Sequence, residues 1–377
     1  AVYPPNSLVI QAQTGSGKTL TYLLPLLAQL QHRSAIQAMI VVPTRELGLQ
    51  VATVAKRLAA PQKFLIMSLL QGSTLKRQRA WAWAETPQVV IGTPSELLDM
   101  VQYGGLPRIN SIQYVVVDEV DACLVHKSGA SLAPTTSPSG DTKALASSLH
   151  VLLSKFLSPT YAVDDGLDEE DLAILGESGS KPKRKFRHRQ TVFASATIPQ
   201  HRYFLKQCKA NQWTLEEPIF VCTSPGEALP PTLQHAYMVC ASMDKKLAAL
   251  RRAITKLHDG GQGKHKKILV FCDTFRPLEE MALAVAHDLS GVCFQEGKLK
   301  LENDENYNEP VVSVLRMEDS LSQRAGATQA FRSDGDIRVL FTGDLAARGL
   351  DIAGISHVIH FDLPPDADTY LHRSGRA

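Results

Sequence analysis

Eight residues near the start of the chain, AQTGSGKT from Ala12 to Thr19, constrain its fold more than any other stretch. They follow Ser7-Leu8-Val9-Ile10, an apolar run suited to a buried strand, and precede Leu20 to Leu30, which is apolar at helical spacing. The eight residues therefore form a strand-to-helix turn. Gly15 and Gly17 let backbone N–H groups converge on phosphate oxygens, at a helix N-terminus whose partial positive charge favours an anion. Lys18 then reaches the β/γ-phosphates, and the Thr19 hydroxyl is placed to ligate Mg²⁺. A glycine-rich turn with an incidental lysine is the plainer alternative, and GKT with these flanks argues against it. The loop by itself fits kinases, transporters, GTPases and helicases alike.

A chain of 377 residues is long enough for two domains, each with its own core. Its 44% hydrophobic and 21% charged residues are ordinary for a globular chain, and no apolar run is long enough to cross a bilayer, so no membrane association is expected. With a net charge of +2, any basic surface for nucleic acid must be local. The six cysteines are scattered without metal-ligand or disulfide spacing, which favours a reducing compartment. The opening AVYPPNS reads as neither a signal nor a transit peptide, and upstream sequence is expected to be missing.

Apolar β-branched runs recur, each ending in a polar cluster: Met39–Val42 before PTREL, Val89–Ile91 before GTPSEL, Tyr114–Val117 before DEVD and Val192–Ala194 before SAT. Strands buried on both faces read this way, and helical stretches between them imply a mainly parallel sheet flanked by helices. Ligands bind beyond the carboxyl ends of such strands, so the four clusters are expected on the side of the phosphate loop. Residues 128–189 differ: a Ser/Thr/Gly/Pro-rich stretch, the acidic DDGLDEED and the basic KPKRKFRHR suggest a disordered insertion, with helix expected only around Leu145–Leu157. The basic block reads as a solvated tail rather than an RNA contact. SPGEALPP at 224–231 reads as a linker, after which strands restart at Ile268–Phe271, Val311–Leu315, Val339–Phe341 and Val358–Phe361. The expected domains are thus 1–223 and 232–377, both α/β.

Val117-Asp118-Glu119-Val120-Asp121 closes one of these strands. Asp118 would hold Mg²⁺ through its water shell and Glu119 would orient and deprotonate an attacking water. Acidic pairs after strands are also common surface features, and only the phosphate loop in the same sheet favours catalysis.

AQTGSGKT, PTRELGLQ, TPSEL, DEVD, SAT, LVFCDT, SQR, TGDLAARGLD and HRSGR occur in the order of a DEAD-box RNA helicase of superfamily 2, and the chain resembles that family over nearly its whole length outside the insertion. DEVD with RQTVFASATIPQH is similar to plant or algal plastid members. The resemblance implies two tandem RecA-like domains, ATP and Mg²⁺ as cofactors, and RNA as the partner, bound through its backbone. It implies ATP contacts by Ala12, Gln13, Thr14, Gly15, Ser16, Gly17, Lys18 and Thr19, and from the second domain by Gly349 and Asp351 beside Arg348. Asp121, Ser195, Thr197 and His372 would couple the site to domain closure. Pro43, Thr44, Arg45, Gly72, Thr93 and Pro94 would meet RNA on the first domain, and Gln323, Arg324, Thr342 and Gly343 on the second. Arg373 and Arg376 would neutralise transition-state charge. Each hydroxyl in these sets, taken singly, is as well explained by helix capping.

Departures from the family pattern are Val120 for the usual alanine, Ser73 for a second glycine, and Arg316-Met317 for a His-Gly pair. The family's adenine-reading glutamine segment would lie upstream of residue 1, and its second terminal arginine beyond Ala377, so the chain as given is expected to bind ATP yet hydrolyse it slowly. The reading that results is a monomeric ATP-dependent RNA helicase clamping single-stranded RNA between its domains and unwinding short duplexes, with 128–189 offered to protein partners and a chloroplast address implied by the resemblance, otherwise cytoplasm or nucleus. An ATP-gated RNA clamp or assembly platform with little turnover is the rival.

Overall fold

Strands that are apolar along their whole length need cover on both faces, and the first unit of the chain provides it. The computed structural model describes residues 6–13, 15–70, 84–104, 109–124, 147–163, 185–198, 200–223, 229, 232–259, 266–273, 275–290, 293–295, 298–300, 312–316, 318–332, 338–344, 352 and 354–377. The chain divides into two units, Ala1–Pro225 and Gly226–Ala377. In the first, β1 (Leu8–Gln11), α1 (Lys18–Gln29), β2 (Ala38–Val41), α2 (Arg45–Ala59), β3 (Ile66–Leu69), β4 (Val89–Gly92) and β5 (Tyr114–Asp118) follow in order. A hairpin of β6 (Thr160–Val163) and β7 (Lys185–His188) precedes β8 (Gln190–Ser195) and β9 (Ile219–Cys222).

Seven of these strands form one sheet in the order β3-β4-β2-β5-β8-β1-β9, with every pairing parallel. Successive residues feed opposite cores: Met39, Val41, Val115, Val117 and Phe193 enter one, Ala38, Ile40, Val116 and Ala194 the other, beneath α1 and α2. Parallel pairing also sets all carboxyl ends on one edge. The residues that end β1, β2, β4, β5 and β8 therefore share that edge.

In the second unit, β10 (Lys267–Phe271), β13 (Val312–Leu315), β14 (Val339–Thr342) and β15 (Ile355–His360) form a parallel sheet in the order β13-β14-β10-β15. A separate antiparallel pair joins β11 (Cys293–Gln295) to β12 (Lys298–Lys300). Ile268, Val270 and Phe341 enter one core and Leu269, Phe271 and Leu340 the other. The α/β class and the parallel sheets agree with the sequence reading.

The disordered insertion expected over 128–189 is corrected at the β6–β7 hairpin and at Arg189, while the helix expected around Leu145–Leu157 is present over a shorter span. Ser148–Val151 is α-helical and Leu152–Phe156 continues it as a wider π turn, with Leu149, Leu152, Leu153 and Leu157 wholly buried against the β5 and β8 side of the sheet. Arg189, the last residue of the basic block, is 2% exposed. Its Nε donates to Ile112 O at 2.9 Å and its Nη1 to Ser158 O, so it is a buried tie between segments and not a solvated charge. Residues 128–146 and 164–184, and the linker 224–231 apart from Leu229, lie outside the described residues.

Two outcomes test this correction. Leu153→Ala removes a fully buried side chain and should destabilise the chain by about 2–5 kcal/mol in urea unfolding. Replacing 164–184 by Asn-Gly should leave the melting temperature near that of the parent, because Val163 pairs with Lys185 across the hairpin and a two-residue turn can join them.

Candidate functional site

The edge of the first sheet is built from the turn after β1. Gly15 has φ +77° and Gly17 φ +87°, the left-handed region that favours glycine. A Cβ on either would meet nothing within 4 Å, so backbone conformation and not crowding requires glycine at both. Gly17 is the N-cap of α1, whose first residues are Lys18 and Thr19. The Lys18 ammonium donates to the carbonyls of Ala12 at 2.7 Å and Gln13 at 2.8 Å, so the loop curls around its own lysine. Ser16 is exposed, and Thr14 lies outside the described residues.

Asp118 ends β5, which pairs with β8, and β8 pairs with β1. Its carboxylate is 3% exposed and held at both oxygens: Tyr22 Oη donates to Oδ2 at 2.7 Å and the Glu119 N–H to Oδ1 at 3.0 Å. Burial, then the Glu119 charge, push the Asp118 carboxyl up to about 6, against the Tyr22 hydroxyl and the Lys18 ammonium, which favour the carboxylate. Burial and the Asp118 charge raise Tyr22 well above the ordinary phenol range, so it stays a neutral donor. Glu119 has φ +46°.

Beside this pair, Ser195 Oγ donates to Asp121 Oδ1 at 2.5 Å and Thr197 Oγ1 to Asp121 Oδ2 at 3.4 Å. The Thr197 N–H donates back to Ser195 Oγ at 3.3 Å. Ser195 O accepts from the Ala12 N–H at 3.1 Å, which ties this cluster to the phosphate loop. Thr44 is the N-cap of α2 and accepts from the Leu47 N–H at 3.3 Å. Thr93 occupies an N-cap without a side-chain bond, ahead of Pro94. Pro43, Thr44, Arg45, Thr93 and Pro94 are all half-buried at this edge. Gly72 lies outside the described residues.

The second unit alters several expectations. Arg373 is 4% exposed and fully engaged: Nε and Nη2 meet the two Asp344 oxygens at 2.5 and 2.8 Å, and Nη1 meets Asp362 O at 2.8 Å. Expected to be catalytic, Arg373 is held in this structure where it fastens the Ala367–Ser374 helix to the ends of β14 and β15. Thr342 is wholly buried, with its hydroxyl donating to Leu315 O and Gly343 O, both at 3.2 Å, and Arg324 is 7% exposed. Neither side chain stands on open surface for RNA. Gln323 is exposed, though its Oε1 accepts from the Ser320 N–H at 2.9 Å and its N–H donates to Ser320 Oγ at 3.3 Å, a capping box at the start of the Leu321–Arg332 helix. Gly343 is buried, and His372 and Arg376 are half-buried, one in the Ala367–Ser374 helix and one just past it. Gly349 and Asp351 lie outside the described residues.

The sequence pattern of the DEAD/DEAH box helicase family matches residues 1–148, and that of the helicase conserved C-terminal domain matches 245–377. The chain is 32% identical over 376 residues to the rice (Oryza sativa subsp. japonica) DEAD-box ATP-dependent RNA helicase 58, chloroplastic, covering 98% of this chain and 70% of the relative. The protein of the same name in Arabidopsis thaliana is 31% identical, covering 100% and 68%. The chain belongs to the DEAD-box ATP-dependent RNA helicases. Members of that family hydrolyse ATP. Among solved structures, the fold is similar to DEAD-box helicase Mss116 bound to single-stranded RNA and UDP-BeF, with a TM-score of 0.72 at 19% identity over 98% of this chain and 64% of that one. It is also similar to S. cerevisiae Dbp5 bound to RNA and ADP BeF3, with a TM-score of 0.62 at 21% identity over 99% and 76%.

Within this DEAD-box chain, three groups escaped the sequence reading. Tyr22 carried no signal because it sits in an apolar helical stripe. Gly92 was read only as part of a motif, yet a Cβ there would lie 2.6 Å from Leu69 O, so β4 can end beside β3 only with glycine. Asp362 gathers Lys246 Nζ at 2.9 Å, Arg276 Nη2 at 3.1 Å and the Asp273 N–H at 3.0 Å. Although burial opposes its charge, these donors hold its carboxyl down to about 2. The usual His-Gly position carries Arg316, which binds Asp319 through Nε at 3.0 Å and Glu279 through Nη1 at 2.9 Å.

Asp344→Ala should strand a buried guanidinium and destabilise the second unit by about 3 kcal/mol in chemical denaturation, the lower end for breaking a buried pair because Asp344 is partly exposed. Arg373→Lys should not restore it, since an ammonium cannot span both oxygens. A pH prediction follows from His360, whose imidazole is held down to about 4 by burial and then by the Arg373 charge. Folding therefore favours the neutral ring. That contribution is complete above pH 6.5 and is lost as pH falls toward 4. Thermal unfolding across this window should show a smaller loss in His360→Phe than in the parent.

Proposed function

We propose that this chain is an ATP-dependent RNA helicase whose turnover depends on the Asp118–Glu119 pair and the phosphate loop sharing one sheet edge. That juxtaposition, with β5 and β1 both paired to β8, is the observation that carries the reading. The backbone N–H groups of Gly15 to Thr19, with Lys18, hold the phosphates of ATP. The oxygen donors Thr19 and Asp118 suit Mg²⁺, a hard cation that binds through one or two protein oxygens together with substrate phosphates. When bound, Mg²⁺ neutralises charge between the β- and γ-phosphates. Glu119 orients the attacking water and accepts its proton. Asp121, Ser195 and Thr197, already joined, move as one coupling unit.

RNA is bound through its backbone, without sequence preference, by Pro43, Thr44, Arg45, Gly72, Thr93 and Pro94 in the first domain, 1–223, and by Gln323 and the Gly343 backbone in the second, 232–377. Arg376, with Gly349 and Asp351, serves the nucleotide from the second domain, and His372 belongs with the coupling set. ATP and single-stranded RNA bind cooperatively in this reading, and local separation of short duplexes follows from clamping one strand. We place the protein in the plastid, as a monomer, with 128–189 open to protein partners. The chloroplastic names of the rice and Arabidopsis relatives support the address.

Phosphate release with and without single-stranded RNA tests this. The parent should be stimulated by RNA. Lys18→Ala should lose tight ATP binding with its circular dichroism unchanged. Glu119→Gln should bind ATP and RNA in a long-lived complex and lose turnover by two or more orders of magnitude, roughly the 10²–10⁴-fold worth of a general base. RNA binding gated by ATP without stimulated release in the parent would favour the low-turnover clamp instead.

A further inference from the structure

Tyr22 is one helical turn beyond Lys18, on the buried face of α1. A tyrosine there needs no hydroxyl for packing, yet its hydroxyl is buried with it at 3% exposure. Buried hydroxyls persist where they find partners. This one finds a single strong one. It donates to Asp118 Oδ2 at 2.7 Å. Among the described residues, Tyr22 is the one side chain that donates to the Asp118 carboxylate. The phenol therefore holds one of the two protein groups assigned above to the metal, and shares its helix with the other, Thr19.

We propose that Tyr22 is a positioning residue for the metal site, fixing the Asp118 carboxylate through its buried hydroxyl. The inference rests on the reading of Thr19 and Asp118 as the Mg²⁺ groups. With Oδ2 held by the phenol and Oδ1 by the Glu119 N–H, the carboxylate is fixed in one orientation. Removing the phenol O–H frees the carboxylate to rotate and leaves a buried charge short of one donor. Groups that orient metal-binding carboxylates typically matter by one to two orders of magnitude.

The test uses the full chain and Tyr22→Phe, with Mn²⁺ as the probe, titrated by electron paramagnetic resonance in the presence of a non-hydrolysable ATP analogue. Tyr22→Phe should weaken Mn²⁺ binding roughly 10-fold while analogue binding in EDTA stays at the parental value. In the Asp118→Asn background the same change should have no further effect on Mn²⁺, as a double-mutant cycle requires of a residue acting through Asp118. Melting temperatures of all four proteins accompany the titration. Equal Mn²⁺ affinity in parent and Tyr22→Phe overturns the proposal, as does an equal loss in both backgrounds, which would mean that Tyr22 only supports α1. A parent that binds the analogue but takes up no Mn²⁺ with it would overturn the metal assignment itself, and the Tyr22 role with it.

Discussion

Parallel pairing of β1, β8 and β5 is the constraint on which the rest of the first unit depends. A parallel sheet covered on both faces admits a polar side chain along its strands only where it finds a protein partner, as buried Thr191 does on the Trp213 carbonyl, because any other such group would be buried without water. Polar chemistry is pushed to the strand ends, and parallel direction gathers the carboxyl ends on one edge. Register then sets neighbours: Gln11 lies beside Ser195, and Asp118 beside Ala194. The Gly15–Thr19 turn, the Asp118 carboxylate and the Ser195 hydroxyl are thus neighbours because of sheet topology before any of them makes a hydrogen bond.

Much of this was legible in the sequence, for the same physical reason. Strands buried on both faces read as unbroken apolar runs, so β1, β2, β4, β5, β8 and the four strands of the second sheet stood out. β3 and β9 did not, since IMSL and IFVC are short and carry no motif at their ends. Within the insertion, the helix around Leu145–Leu157 was legible because Leu149, Leu152, Leu153 and Leu157 follow helical spacing and fill a core. The β6–β7 hairpin was not, because acidic and Ser-rich stretches dominate the composition around it. Arg189 was counted with the basic block, and nothing in a charge count shows that the Ile112 and Ser158 carbonyls await it.

Site residues divide along the same line. Gly15, Gly17, Lys18 and Thr19 were legible because one short segment encodes both the conformation and the chemistry. Arg373 and Arg376 share one motif and looked interchangeable. Only the fold shows that Arg373 is used up by Asp344, 29 residues earlier in the chain, and by the Asp362 carbonyl. Thr342 is the same kind of case, since a hydroxyl at a strand end serves RNA or its own sheet depending on which way it turns. Its burial decides for the sheet.

Adjacent residues on a strand point to opposite faces, yet Asp118 and Glu119 are asked to serve one nucleotide. The left-handed turn at Glu119, with φ +46°, ends the alternation at the point where the strand ends. Such a conformation at a non-glycine residue costs on the order of 1–3 kcal/mol and persists only where its surroundings hold it. Here they do so from both sides. The Glu119 N–H is taken by Asp118 Oδ1, and its carbonyl accepts from the Ala122 and Cys123 N–H groups at 3.0 and 3.1 Å, opening the Val120–Leu124 helix. The bond to Asp118 is available only to an ionised or acceptor-facing carboxylate, so the group proposed to hold the metal also stabilises the turn at the proposed base. A carboxamide at Asp118 would have to keep its oxygen on the Glu119 N–H and turn its NH₂ toward the Tyr22 hydroxyl, which would then have to accept rather than donate. The strained turn, the buried phenol and the metal carboxylate are in this way one coupled unit.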